Sequence, residues 1–142
     1  KMAANLNPPL AAAMAGFVQL LRKNPRLDRR RIYLTGLSMG GFGVWELLQR
    51  HPQYFAAAIP ICGGGDPAQI DSLTRTPIHA FHGRKDKLVK VARTTEMIDA
   101  LIAKGHHPKM NILEDQGHLC WNAVYKNVEV IQWFISQRRH DR

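Results

Sequence analysis

An α/β fold is predicted by two features of the sequence: helical apolar patterns alternate with short apolar runs, and each run ends in glycine or a polar loop. The runs are close to continuous rather than alternating, as expected of strands buried on both faces of a parallel sheet. Length adds a third constraint. The 142 residues and 16.1 kDa fit one domain, residues 1–142, large enough to bury a core.

Each element has a local reason. A first helix is expected from Asn7, a good cap, with Pro8 in its opening turn. Leu10, Met14, Phe17, Val18 and Leu21 give it one apolar face, and Asn24-Pro25 ends it. Arg31 to Thr35 reads as a strand closed by Gly36, and Met39 to Arg50 as a helix stopped by His51-Pro52. A second strand, Ala57 to Ile61, runs into Cys62-Gly63-Gly64-Gly65-Asp66. The third, Pro77 to Phe81, ends at His82-Gly83. The next helix, Val91 to Lys104, turns Met97, Ile98, Leu101 and Ile102 inward, with Gly105 as its cap. Lys109 to Leu113 is the fourth strand. One last helix, Trp121 to Ser136, carries Val124, Tyr125, Val128, Ile131 and Ile135 on its apolar side.

Composition narrows the functional classes. No apolar run approaches the ~20 residues of a membrane span. Two cysteines exclude a disulfide scaffold. With 20 basic and 11 acidic residues the net charge is +9 and the pI about 10.1. The basic residues are spread out, apart from Arg26 with Arg29-Arg30-Arg31, and Arg138, Arg139 and Arg142. No aromatic-rich strand offers a stacking platform beside them, so a solvated basic face is expected rather than a nucleic-acid site. The chain opens on Lys1-Met2, without a signal-peptide pattern or a leading strand, and reads as a piece of a larger protein.

In such a sheet, chemistry collects in the loops leaving the carboxyl ends of the strands. Those loops carry Gly36-Leu37-Ser38-Met39-Gly40, Cys62 to Asp66, His82-Gly83-Arg84-Lys85-Asp86 and Asp115-Gln116-Gly117-His118. A G-x-S-x-G turn between strand and helix presents a strained serine above the sheet. Its glycines are expected where a side chain at 36 or 40 would collide with the neighbouring strand or helix. The Met39 amide opens the following helix and is free to donate to a developing oxyanion. Asp86 is the candidate acid that would orient an imidazole, with Asp66 as its rival. Of the seven histidines, His118 is the candidate base, because it follows the last strand and a glycine. His82 more naturally braces the Asp86 loop. Met39, Cys62, Leu88, Leu119 and Trp121 are candidates to line a substrate pocket. No Cys/His cluster has zinc-ligand spacing. The backbones of Cys62 and Cys120 are expected about two strand spacings apart, about 9–10 Å, unless their loops converge; that is too far for a disulfide, so both should be free.

Gly-Leu-Ser-Met-Gly-Gly-Phe-Gly (36–43), Phe-His-Gly-Arg-Lys-Asp (81–86) and Gly-His-Leu-Cys-Trp (117–121) resemble the α/β-hydrolase superfamily. More narrowly, they are similar to bacterial esterases of the phospholipase/carboxylesterase and prolyl-oligopeptidase-like group, relatives of feruloyl esterases and polyhydroxybutyrate depolymerases. Ile-Cys-Gly-Gly-Gly-Asp (61–66) and Trp-Phe-Ile-Ser-Gln-Arg-Arg (133–139) share the resemblance. It implies Ser38 as nucleophile, His118 as general base, Asp86 as orienting acid and the Met39 N–H as one oxyanion donor. It also implies a small-molecule ester as substrate, and neither metal nor organic cofactor.

The same resemblance implies a fold of about eight strands, of which this chain supplies the last four. The earlier strands and the loop bearing a second oxyanion donor are absent. The strand before Ser38 is therefore expected at an open edge, to be completed by a missing N-terminal half or a second chain. Two other readings compete with the esterase: a non-catalytic binding or assembly module, and a peptidase of the prolyl-oligopeptidase type.

Overall fold

The computed structural model describes residues 8–73 and 75–140. Asn7 and Arg142, singled out above as cap and basic-cluster member, lie outside that range. Four parallel strands form one sheet in the order β1 (Tyr33–Leu37), β2 (Ala57–Ile61), β3 (His79–Gly83) and β4 (Lys109–Leu113). Before, between and after them lie α1 (Pro8–Arg22), α2 (Met39–Arg50), α3 (Ala92–Ala103), α4 (Trp121–Tyr125) and α5 (Val128–Ser136). Each strand's neighbour in sequence is its neighbour in space, so β1 lies at one edge and has a partner on one side only among the described residues.

The pleat sorts the core into two layers. Ala58 and Ala80 face one cluster, built with Val18 of α1, Trp45 and Leu48 of α2, and Met97 and Leu101 of α3. Ala57, Ile59, Ile61 and Phe81 face the other, with Val124 of α4 and Val130 and Phe134 of α5. Both faces of β2 and β3 are buried; β2 is an unbroken apolar run, and the two histidines of β3 are partnered, His79 with Asn111 and His82 with Thr94 and the Val89 carbonyl. Pro60 interrupts the ladder inside this central strand. The amides of Ala58 and Cys62 donate to Pro77 and Phe81 of the adjoining chain, and residue 60, midway between them, has no N–H to give.

Several expectations shift. The first and third strands each begin two residues later than predicted, at Tyr33 and His79. The predicted last helix is two helices, because the Asn127 side chain accepts the Val130 amide and starts α5 afresh. That restart changes the helical phase. Val124, Val130 and Phe134 are buried, whereas Tyr125, Val128 and Ile135 are exposed. On α1 the buried positions are Ala15 and Val18, while Leu10, Phe17 and Leu20 face outward; Ile102 of α3 is likewise exposed. Gly105 (φ +86°) does cap α3, with the Gly105 and His106 amides donating to Ile102 and Leu101.

The chain's end is tied to its first strand. The Tyr33 hydroxyl lies 2.8 Å from the Ile135 carbonyl and 2.7 Å from that of Gln137, and the Arg139 amide donates to the Arg30 carbonyl. The two basic runs of the sequence therefore meet at the amino end of the strands, away from the loops considered next.

Candidate active site

Strand β1 ends in a turn that holds Ser38 at φ +54°, ψ −118°, a conformation non-glycine residues rarely adopt. The Ser38 amide donates both to the Ile61 carbonyl, at 3.0 Å, and to the Cys62 Sγ, at 3.2 Å, which anchors the turn to the end of β2. Gly36 is required here: a Cβ on it would lie 2.4 Å from the Gly40 carbonyl oxygen. Gly40 itself has open space around its Cβ position, contrary to the expectation from the motif. The tight contact belongs to the next residue, Gly41, where a Cβ would meet the Ile61 carbonyl oxygen at 2.4 Å. Met39 is the first residue of α2, so its N–H has no partner within the helix.

The loops after β3 and β4 come together above the same edge. The Asp86 side chain is fully buried, and its Oδ1 accepts the Leu88 and Val89 amides, each at 2.9 Å. Its Oδ2 lies 2.8 Å from His118 Nδ1. The other ring nitrogen, Nε2, lies 2.9 Å from Ser38 Oγ. Residues 38, 86 and 118 thus form one hydrogen-bonded line. Burial pushes the Asp86 carboxyl up, but hydrogen bonds from His118, Val89 and Leu88 outweigh it and hold the group below the usual carboxylate range. Asp86 is therefore ionised at neutral pH.

Gly83 makes this meeting possible. A Cβ there would sit 2.1 Å from the Gly117 carbonyl oxygen and 2.5 Å from that of Gln116, both backbone atoms next to His118. Gly83→Ala should push the His118 loop away from Asp86, costing about 1–3 kcal/mol of stability as overpacking does. Urea unfolding checks the stability change. Turnover should fall further than stability alone accounts for; unchanged turnover would show that the two loops move independently.

Asp66 is not part of the line: it caps a short 3₁₀ turn, accepting the Ala68 amide and the Gln69 side chain. His82 is buried completely, with Nδ1 2.8 Å from Thr94 Oγ1 and Nε2 2.7 Å from the Val89 carbonyl. Burial pushes its ionisation down, which keeps it neutral beside Asp86 and suits it to bracing the loop.

Met39, Leu88 and Leu119 are strongly exposed, at 72%, 72% and 69%, and surround the line with apolar surface. The Trp121 ring stands edge-on to His118, with ring centroids 5.9 Å apart. Cys62 is different. It is wholly buried behind the Ser38 amide, so it does not line the surface as expected. Cys120 is also free and buried. Both thiols are free, as expected, and the Cys62 and Cys120 side chains lie near enough to perturb each other's ionisation. The Cys120 neighbour and burial push the Cys62 thiol up, and the Cys62 neighbour draws that of Cys120 down to about 7.

A doubly covered parallel sheet, with a strained serine turn after β1 and a histidine after β4, is the architecture of the α/β-hydrolase superfamily. Within it, residues 6–126 match the dienelactone hydrolase family, and the chain belongs to that family. A solved structure of a thermostable esterase is 36% identical, with a TM-score of 0.86 over 95% of this chain and 38% of its own. Esterase YpfH of Escherichia coli (strain K12) is 28% identical over 110 residues, 75% of this chain and 47% of the esterase. Poly(3-hydroxyalkanoate) depolymerase C of Paucimonas lemoignei is 37% identical over 54 residues, 38% of this chain and 13% of the depolymerase. The chain spans less than half the length of each of these relatives. No helix among the described residues is long and apolar enough to cross a membrane.

Proposed function

We propose that the protein is a serine hydrolase acting on carboxylic esters, and that residues 1–142 are part of a single hydrolase domain. The observation that carries this reading is the line Ser38–His118–Asp86, with contacts of 2.9 and 2.8 Å. Ser38 Oγ attacks the ester carbonyl while His118 Nε2 takes its proton. Asp86 accepts the Nδ1 proton, which fixes the tautomer and stabilises the imidazolium that forms. The Met39 N–H donates to the oxyanion, and a second donor comes from outside these residues. Collapse of the tetrahedral species expels the alcohol, protonated by His118. Water then enters through the same base and releases the acid. Exposed Met39, Leu88 and Leu119 favour an apolar acyl or alcohol group at the mouth. The esterases and the depolymerase among the relatives support an ester over a peptide bond.

A second reading, a non-catalytic assembly module, draws on the open edge of β1 and the outward Leu10, Phe17 and Leu20 of α1. One measurement separates them. A fluorophosphonate probe should add one equivalent to the purified protein, and Ser38→Ala should take up none. A natively folded protein that stays unlabelled would favour the assembly module.

A further inference from the structure

Cys62, Asp86 and His118 each offer one ligand atom, and these atoms lie within 4.8 Å of one another. A thiolate, an imidazole and a carboxylate are all zinc donors, and three protein ligands leave a fourth position to water. Spacing along the chain conceals the set, because its members sit on three loops that only the sheet brings together. Solvent reaches it through His118, whose side chain is 13% exposed above the buried Cys62 and Asp86.

We propose that this cluster is an inhibitory site for a thiophilic divalent cation, zinc foremost, whose binding disables the hydrolase. The binding stands by itself; the inhibition rests on the hydrolase reading. Both ring nitrogens of His118 are already engaged, Nδ1 with Asp86 and Nε2 with Ser38. Coordination at either one breaks a contact the reaction needs. Asp86 holds two backbone amides on Oδ1; its Oδ2, 2.8 Å from His118 Nδ1 and 3.2 Å from His82 Nε2, is the oxygen that turns to the ion. A tetrahedral ion spaces its ligand atoms about 3.3–3.8 Å apart, so the sulfur draws in by up to about 1 Å and coordination at Nδ1 spreads His118 and Asp86 from their 2.8 Å contact. As the metal–sulfur bond forms, the Cys62 thiol proton passes to solvent; coordination at His118 Nδ1 sends that nitrogen's proton to Nε2, and nothing is oxidised or reduced. Cys120 touches Cys62 but stands outside the three-atom set.

Cadmium serves as the probe, since its bond to a thiolate gives a charge-transfer absorption band. One equivalent added to tag-free protein should raise the band, and zinc should compete it away. Cys62→Ser should abolish it, while Cys120→Ser should keep it. His118→Ala should weaken binding by at least about tenfold, a loss seen even for residues behind the ligands. One equivalent of zinc should also block fluorophosphonate labelling of Ser38, and EDTA should restore it. No band in natively folded protein overturns the proposal. So does a band that needs Cys120 but is indifferent to His118, which would mark a two-thiol site. A protein that shows the band yet never reacts with the fluorophosphonate overturns the hydrolase reading and leaves the metal site standing.

Discussion

Alanine in place of His118 is expected to lower kcat on an activated ester by about 10⁶-fold, the scale of loss when a serine nucleophile is deprived of its base. The reason lies in the single contact between His118 Nε2 and Ser38 Oγ. Without it the hydroxyl must lose its proton to water, and the leaving alcohol must find its proton there as well. Ser38→Ala should cost a similar factor, and the double variant should be no slower than either single one. Losses that multiply instead would mean that the two side chains act separately. His118 is partly exposed and lies in a loop, so circular dichroism of the variant should match the parent.

Asp86→Asn is expected to cost about 10⁴-fold in kcat, with substrate binding nearly unchanged. Asparagine can keep its Oδ1 on the Leu88 and Val89 amides, the bonds Asp86 makes now. Its NH₂ group then faces His118 Nδ1 where a carboxylate oxygen stood. The ring must accept at Nδ1, its proton moves to Nε2, and Nε2 points a hydrogen at Ser38 instead of a lone pair. Circular dichroism and urea unfolding must accompany the comparison of kcat with KM, because an unfolded fraction would also lower apparent kcat and leave KM unchanged. Stability carries a second signature. The depressed Asp86 ionisation contributes stability that is complete above the ordinary carboxylate range and is lost as pH falls through the depressed value. The variant should lack that acid-limb loss in urea titrations at descending pH.

Much of this arrangement was legible in the chain. Met39–Arg50, Ala57–Ile61 and Lys109–Leu113 follow directly from apolar runs bounded by proline or glycine. Ser38, Asp86 and His118 were legible because each sits a few residues beyond a strand, where loop chemistry collects. Other features depend on distance and phase, which a linear pattern does not carry. Gly41 rather than Gly40 is the crowded position, since crowding is set by where β2 ends in space. The break at Asn127 was hidden because Val128 and Ile131 continue a plausible helical stripe across it. Outward Leu10, Phe17 and Leu20 show the same limit: an apolar stripe is visible in sequence, but which part of it finds a partner is not.

The tie between Tyr33 and the carbonyls of Ile135 and Gln137 has a consequence for how the chain is made. These contacts span more than a hundred residues, and the line from Ser38 to His118 spans eighty. Closing such long loops precedes the contacts that reward it, so folding of this region is slow for its size. On a ribosome adding residues in order, β1 and its serine turn emerge before their partners and wait. Their second covering layer, α4 and α5, is synthesised only after all four strands, so β1 stays exposed on that face until then and the serine waits eighty residues for its base.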